Sequence, residues 1–166
     1  SSIFKGHKFS LFEGGIRVPG IISWPAVIPG GQVIDEPCAA MDIFPTFVKA
    51  AGGDISEYET DGCDILPVVT KNAPSPHEYL FWEMGEQTAV RYRNYKLVLN
   101  GYLVEGESAP DKVFLSDLSC DLSESKNLAG ELPELTLELT EKAMAWRREI
   151  EDKWEKKWKS NYDNHT

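Results

Sequence analysis

The sequence lacks an excess of basic charge and any long apolar run. Its 166 residues contain 17 Lys and Arg against 27 Asp and Glu, a formal net charge of −10. An acidic chain cannot bind nucleic acid or an anionic membrane by long-range attraction, because that requires a basic surface. No apolar run approaches the roughly 20 residues of a transmembrane helix. Since 42% of the residues are hydrophobic, we expect a globular chain with neither nucleic acid nor a membrane as its partner.

Cysteine and histidine are also scarce. Cys38, Cys63 and Cys120 form no C-x-x-C pair, which argues against a zinc–thiolate site and a disulfide framework. Three free thiols or a single disulfide both fit this pattern. The 3 histidines suggest no Ser/His/Asp arrangement, and the sequence has no glycine-rich phosphate loop. The residue pattern alone therefore does not assemble a complete active site.

Residues 1–53 contain one strand pattern and one helix pattern. The mostly apolar run 16–24 predicts a buried strand. Asp42 suits a helix N-cap, so we predict a helix from about Ile43 to Ala51 with one buried face. The side chains assigned to that face are Phe44, Phe47, Val48 and Ala51. One strand and one helix cannot cover each other's apolar sides. We therefore expect a larger α/β body upstream, and self-association of the chain when that body is absent.

The rest of the chain shows strand patterns followed by a long helix pattern. The strands are predicted at 78–84, 87–93, 95–99 and 112–117. Their spacing is typical of a small antiparallel sheet. An apolar stripe at intervals of three and four then predicts a helix. Its members are Leu132, Leu135, Leu139, Ala143, Trp146, Ile150, Trp154 and Trp158. Packing of this stripe on the sheet fits better than a partner-binding surface.

The segment 6–19, GHKFSLFEGGIRVP, is the densest motif. It reads as a basic loop that leads through a glycine pair into the predicted strand. Lys8 would lie near the strand entrance, where a compact ammonium can reach an anion. Glu13 and Arg17 are four residues apart and are predicted to pair and fix the loop. Gly14 and Gly15 would permit either backbone angles or close approaches that a Cβ forbids.

This segment resembles the G-x-K-x-x-x-x-E-G-G-x-R-x-P motif of the arylsulfatase family, the type I sulfatases of the alkaline phosphatase superfamily. Further stretches resemble the same family in the same order. They are WP at 24–25, IPGG at 28–31, DIFPT at 42–46, DG at 61–62 with LP at 66–67, FWE at 81–83, AVR at 89–91, YKLV at 95–98, and LSDL at 115–118 followed by Asp121, Glu124 and NL at 127–128. The resemblance covers nearly the whole chain.

The resemblance implies an α+β fragment from the C-terminal third of a sulfatase. Residues 1–53 would be the last strand and helix of the alkaline phosphatase-like catalytic α/β domain, and residues 54–76 a linker. Residues 77–166 would be the C-terminal subdomain, a small antiparallel sheet packed by a long C-terminal helix at about 133–158. Family members are commonly periplasmic, secreted or lysosomal, and we expect one of these compartments.

For function, the resemblance implies a parent enzyme that hydrolyses sulfate esters to an alcohol and inorganic sulfate. Its substrate would be a sulfated small molecule or sugar. In the family, the formylglycine nucleophile and the Ca²⁺ ligands precede the Lys8 segment. We therefore expect the isolated chain to bind neither, to be inactive, and to need the N-terminal catalytic portion as partner. The alternatives are a phosphonate or phosphate ester hydrolase of the same superfamily, and a non-catalytic accessory domain.

Lys8 matches the family lysine that contacts the sulfate, and the resemblance implies that it stabilises the departing oxygen. The alternative is a lysine that merely closes a salt bridge. Glu13 and Arg17 are then supports that orient the Lys8 loop rather than reacting groups. No residue of this chain matches a metal ligand of the family.

Four further residues are candidates for the substrate pocket. His7 occupies a variable family position, and we expect it to be exposed rather than catalytic. Glu83 and Glu86 are candidate pocket edges, and a role at the rim or in a turn fits them equally well. Met84 stands where many relatives have a histidine after the Trp-Glu pair. Methionine donates no hydrogen bond and carries no charge, so the leaving-group side of this pocket is expected to differ from those relatives.

Overall fold

A computed structural model describes residues 3–159 of the chain, with side chains up to residue 157. The chain divides into two compact units. Unit 1 contains the described residues up to Val18 and those from Tyr79 onward, and unit 2 is Pro19–Glu78. The first residues of the chain thus group with the C-terminal sheet and not with the predicted region 1–53. The domain boundaries that we predict for the whole enzyme stay a prediction.

Unit 1 is built on a four-stranded antiparallel sheet in the order β1-β2-β3-β4. The strands are β1 (Tyr79–Met84), β2 (Gln87–Tyr92), β3 (Tyr95–Leu99) and β4 (Val113–Asp117). Each strand pairs with the next along the chain. Short turns connect the first three strands, and the longer segment 100–112 connects β3 to β4. All four strands lie where alternation and turn residues predict them, with ends shifted by at most a residue. The small antiparallel sheet of the predicted fold is confirmed.

The described residues contain α-helices in both units. They are α1 (Glu13–Ile16), α2 (Ile43–Ala50), α3 (Leu66–Lys71) and α4 (Pro133–Trp154), with a 3₁₀ turn at Ala40–Asp42 and a π-turn at Glu155–Lys159. The long helix α4 confirms the C-terminal helix predicted at about 133–158. Pro133 occupies the first turn of α4, where its missing N–H costs no hydrogen bond. No helix among residues 3–159 is long and apolar enough to cross a membrane.

Helix α4 covers one face of the sheet. Leu139 and Ala143 are fully buried there against Val90, Leu97 and Leu115. The Trp146 ring stacks on Phe81 with centroids 5.1 Å apart. The central part of the apolar stripe therefore packs on the sheet, as predicted. Trp154, near the end of the helix, is 62% exposed, and the side chain of residue 158 lies outside the described part.

The N-terminal segment covers the opposite face of the sheet. Leu11 and Phe12 pack against Ala89, Val98 and Phe114. Phe12 meets Phe114 edge to face at a centroid distance of 5.3 Å, a favoured aromatic geometry. The sheet is therefore the middle layer between α4 and the segment that carries the GHKFSLFEGG motif.

The strand predicted over 16–24 is wrong for this chain. Residues 13–16 form the short helix α1, and 17–24 have no regular structure. A β-strand needs a neighbouring strand for its backbone hydrogen bonds, and no strand of the described chain pairs with this run. Ile21 is accordingly 94% exposed. An apolar run indicates a tendency toward burial but does not supply the partner.

Helix α2 forms where it is predicted, but its apolar side is not the buried one. Phe44 and Phe47 are 52% and 67% exposed, whereas Pro45 and Thr46 are buried. Hydrogen bonds decide which side is covered, because Thr46 Oγ1 accepts from Ile65 N at 3.1 Å. The predicted buried face is therefore wrong, since polar contacts to a distant segment turn the helix the other way.

Asp42 organises the polar side of unit 2. Its side chain is fully buried, and its Oδ1 lies 2.8 Å from both Cys63 N and His77 Nε2. Its Oδ2 accepts from Ala39 N at 2.7 Å. This carboxylate therefore joins three segments instead of capping α2 through its side chain.

The three cysteines are free thiols, and burial raises the pKa of Cys63 and Cys38.

Candidate functional site

The segment 5–16 of unit 1 forms a tight loop that is closed by its own backbone. Ser10 N donates to His7 O at 2.9 Å, and Gly14 N donates to Lys5 O at 2.8 Å. The buried Ser10 hydroxyl donates to Tyr102 O at 2.7 Å. These bonds hold both ends of the loop together and attach its middle to the segment between β3 and β4. Below we call residues 5–16 the Lys8 loop.

The glycine pair of the motif is required by close backbone approaches. A Cβ on Gly14 would overlap the carbonyl oxygen of Gly6 and lie 2.6 Å from that of Lys5. A Cβ on Gly15 would overlap the Ser10 carbonyl oxygen and lie 2.7 Å from that of His7. The obstacles are backbone atoms of the same loop. Of the two reasons that the sequence left open for these glycines, the structure selects close approach, because neither has a positive φ.

We expect Gly15→Ala to destabilise unit 1 by about 1–3 kcal/mol, because the loop backbone must shift to admit the methyl group. Urea denaturation of the 166-residue chain measures this change. Gly130→Ala is the matched control, since a Cβ at Gly130 meets no atom within 4 Å. A Gly15→Ala variant as stable as the control would contradict the close approach.

Buried charges anchor the other end of the loop. Glu13 is 3% exposed, and its Oε1 accepts from Lys96 Nζ at 2.9 Å. Lys96 Nζ also lies 3.2 Å from Oε1 of the buried Glu124, within ion-pair distance but without hydrogen-bond geometry. Glu124 Oε2 accepts from Glu13 N at 2.6 Å. Arg17 Nη1 completes the group at 3.3 Å from Glu13 Oε2, so the predicted Glu13–Arg17 pair is present.

The two carboxyls of this group differ in their electrostatics. Burial disfavours the charge of Glu13, but Lys96 and the nearby arginines outweigh it and lower the Glu13 pKa below its usual value. For Glu124, burial dominates over the attraction of Lys96 and raises the pKa. Burial also lowers the pKa of Lys5, whose Nζ lies 3.7 Å from the Phe114 ring centroid. Lys96 thus pairs with both buried carboxyls, and Glu13 is held in the charged form more strongly than Glu124.

Lys8 and His7 lie on the exposed side of the loop. Lys8 Nζ is 4.8 Å from the centroid of the Phe9 ring, a cation–π distance. His7 Nδ1 lies 3.2 Å from Lys8 O. His7 is therefore exposed, as predicted. The geometry gives a surface ammonium on a loop whose inner residues, Ser10–Glu13, are buried.

Glu83 and Met84 lie at the end of β1, but on opposite faces of the sheet. Met84 pairs with Gln87 and Glu83 pairs with Thr88. Successive strand residues alternate between faces, and Gln87 bonds the Lys8 loop whereas Thr88 bonds helix α4. Of the two predicted pocket residues, the structure therefore brings Met84 to the side of the Lys8 loop and Glu83 to the other side.

Sequence reasoning missed Lys96, Glu124 and Gln87 as parts of this site. One signal for Lys96 was available, because it lies two residues before the apolar Val98 on β3 and so shares its face of the sheet. A charged residue at such a position indicates a buried partner. Glu124 belongs to the motif run that follows LSDL, but that resemblance assigns it no role. Gln87 offered no local signal, since it acts through contacts with residues far away in the sequence.

Among residues 3–159, no group of three or more His, Cys, Asp or Glu side chains is arranged to hold a metal ion. The carboxylates of the site are instead committed to Lys96 and Arg17. The family resemblance places the Ca²⁺ ligands of a parent enzyme before the Lys8 segment, and not among these residues.

Comparison with known proteins identifies the family. A family model described as "N-sulphoglucosamine sulphohydrolase, C-terminal" matches residues 5–149. Steryl-sulfatase of Homo sapiens is 52% identical over 83 residues, which cover 49% of this chain and 14% of that protein. Arylsulfatase D of Homo sapiens is 45% identical over 89 residues, covering 52% of this chain and 15% of that protein. The chain thus spans about a seventh of the length of these relatives.

Solved structures agree on the fold. A structure from work on glycosaminoglycan metabolism by Bacteroides thetaiotaomicron superposes with a TM-score of 0.73 at 24% identity. The match covers 88% of this chain and 32% of that one. The motif order, the four-stranded sheet with its long helix, and the family model agree, and the chain belongs to the sulfatase family as a C-terminal portion.

Proposed function

We propose that the enzyme containing this chain hydrolyses sulfate monoesters to an alcohol and inorganic sulfate. The chain contributes Lys8, whose ammonium binds the sulfate group and stabilises the departing oxygen. Electrostatic stabilisation by preorganised groups that face developing negative charge is usually the largest single contribution to catalysis. Lys8 carries its charge on a compact head group, which suits a tetrahedral sulfate.

One observation carries this proposal: Lys8 is exposed on a loop whose following residues, Ser10–Glu13, are buried and hydrogen-bonded. A preorganised cation stabilises a transition state without reorganising during the reaction. Glu13 and Arg17 support the loop from its far end, where Glu13 also binds the buried Lys96. A lysine that merely closed a salt bridge would not need this degree of support.

The substrate that we propose is the sulfate ester of an apolar alcohol, such as an aryl or steryl sulfate. Met84 is 37% exposed and lies on the Lys8 face of the sheet, where its thioether can contact an apolar leaving group. The name of the human steryl-sulfatase, the 52% identical relative, supports the same class. Glu83, on the helix side, is then no part of this pocket.

The remaining chemistry belongs to other parts of the proposed enzyme. A formylglycine would supply the nucleophile and a Ca²⁺ ion would bind sulfate oxygens, both outside the described residues. Several large apolar side chains of unit 2 are exposed, and we propose that the N-terminal catalytic portion covers them. They include Ile21, Val33, Ile43, Phe44, Phe47 and Tyr58. For the enzyme we also propose a periplasmic, secreted or lysosomal location.

The test is turnover by the full-length enzyme that contains this chain. We expect release of inorganic sulfate from 4-methylumbelliferyl sulfate, with a higher kcat/KM than for a sugar O-sulfate. The matching 4-methylumbelliferyl phosphate and a phenyl phosphonate ester are the controls. Preferential hydrolysis of either control would move the enzyme to a sister class, and no turnover of any ester would leave a non-catalytic protein.

The isolated 166-residue chain provides a second test. We expect it to release no sulfate from the same substrate and to associate as its concentration rises, because the apolar side chains of unit 2 are uncovered. Sulfate release and sedimentation velocity measure the two properties. Turnover by the isolated chain, or a sedimentation coefficient independent of concentration, would contradict the corresponding half of this proposal.

A further inference from the structure

Gln87 links the Lys8 loop to the sheet. Its side chain is fully buried, and its Nε2 donates to Phe9 O at 2.8 Å. Its Oε1 accepts from Leu11 N at 3.2 Å and from Tyr102 N at 3.3 Å. Both ends of the amide are thus used, and two of the three bonds go to the loop. A buried amide held by three hydrogen bonds has little freedom to move.

The bond to Phe9 acts next to Lys8. Phe9 has a φ of 74°, a left-handed conformation that a bulky residue rarely adopts. Such a conformation persists only where surrounding contacts impose it, and Gln87 holds the carbonyl of that residue. The direction in which the chain leaves Lys8, and hence the position of its side chain, depends on this conformation.

Helix α4 in turn fixes the backbone of Gln87. Arg147 Nη1 donates to Gln87 O at 3.1 Å and to Thr88 Oγ1 at 2.8 Å. Its Nη2 donates to Gly85 O at 2.6 Å. The guanidinium therefore clamps the turn between β1 and β2, and Glu151 pairs with it from the next turn of α4 at 2.9 Å.

We propose that Gln87 is a positioning residue for Lys8, and that Arg147 holds Gln87 in place from helix α4. This chain of contacts gives the C-terminal helix a role in the reaction although it lies on the opposite face of the sheet. The inference rests on the proposed function of Lys8 in sulfate ester hydrolysis. Gln87 touches the loop backbone and acts only through it.

The experiment is a double-mutant cycle in the full-length enzyme with 4-methylumbelliferyl sulfate. Gln87→Met keeps a similar length but removes all three hydrogen bonds. We expect it to lower kcat by about 10–100-fold, the effect of a displacement near 1 Å. In a Lys8→Ala background, the same substitution should have almost no further effect, because Gln87 acts through Lys8. An equal loss of kcat in both backgrounds would indicate general damage to the fold and overturn the inference.

Asn100→Asp is the matched control. The Asn100 amide donates to Glu86 O of the same turn at 3.3 Å, so this variant also removes an amide donor that braces the turn. Asp tolerates the left-handed conformation that Asn100 adopts at a φ of 52°. We expect wild-type kcat from Asn100→Asp, and a loss as large as that of Gln87→Met would overturn the inference.

Amide hydrogen exchange separates this inference from the proposed function. In Gln87→Met, exchange should be faster at Leu11 and Tyr102, whose N–H groups lose their acceptor, and unchanged in β3 and β4. If the wild-type enzyme hydrolyses no sulfate ester, the proposed function fails, yet this exchange pattern would still support positioning of the loop by Gln87. Unchanged exchange at both amides would overturn it irrespective of any activity.

Discussion

Lys8→Ala in the full-length enzyme should lower kcat for an aryl sulfate by about 10²–10³-fold, the range observed when one stabilising group is removed from a transition state. KM should change less, because the ammonium matters most when the leaving oxygen gains charge. Steady-state kinetics with 4-methylumbelliferyl sulfate measure both constants. Lys8→Arg should recover only part of the loss, since a planar guanidinium does not replace a compact ammonium.

Lys126→Ala is the control for Lys8→Ala. Lys126 is an exposed lysine of unit 1 that pairs with Glu131 on the surface, with 62% and 58% of the two side chains exposed. Its removal also subtracts one positive charge but leaves the Lys8 loop intact, so we expect unchanged kinetics. Equal kinetic losses from the two variants would show that overall charge, and not the position of Lys8, is responsible.

Lys96→Met should give the largest loss of stability. Lys96 is fully buried between Glu13 and Glu124, and the substitution leaves two buried carboxylates without their shared cation. Breaking a buried ion pair from one side costs about 3–5 kcal/mol. Urea denaturation of the 166-residue chain, followed by tryptophan fluorescence, measures the free energy of unfolding. Lys126→Met removes an exposed pair and should cost at most about 1 kcal/mol.

A second variant distinguishes lost charge pairing from lost packing. Glu13→Gln and Glu124→Gln introduced together with Lys96→Met remove the buried charges that the first substitution leaves unpaired. The triple variant should recover much of the lost stability, because replacing a complete buried ion group is often nearly neutral. A triple variant no more stable than Lys96→Met would show that the lysine acts chiefly through its packing.

The pH dependence of stability follows from the signs of the pKa shifts. In the wild type, the lowered pKa of Glu13 stabilises the fold above the ordinary carboxyl pKa, and this stability is lost as the pH falls through the lowered value. The raised pKa of Glu124 acts in the opposite direction, so its cost appears as the pH rises through the raised value. The two effects partly cancel.

In Lys96→Met, Glu13 and Glu124 lose the cation that they share. The pKa values of both carboxyls should then be higher than in the wild type, because burial is less compensated. Both groups then destabilise the fold as the pH rises through their pKa values. The stability deficit relative to wild type should therefore shrink as the pH is lowered and the carboxyls become protonated. Denaturation curves at neutral and acidic pH test this expectation, and a deficit independent of pH would contradict it.

The sequence by itself determined the four strands and the long helix of unit 1, and the family. Alternation and turn residues located the strands from Tyr79–Met84 to Val113–Asp117, and three-to-four spacing located helix α4. These signals are local, because strand and helix periods depend on residues only a few positions apart. The order of the motifs along the chain identified the family. The glycine pair Gly14–Gly15 indicated a backbone constraint, and only the structure showed that this constraint is close approach.

Only the tertiary structure decided which distant residues meet. Lys96 binds Glu13 from 83 residues away, and Gln87 binds Phe9 from 78 residues away, separations that no local pattern encodes. The same reason explains the error at helix α2, where a hydrogen bond from Ile65 to Thr46 covers the polar side and leaves Phe47 exposed. An apolar stripe shows which side of a helix favours burial, but the partner that covers a side is set by the packing of the whole chain.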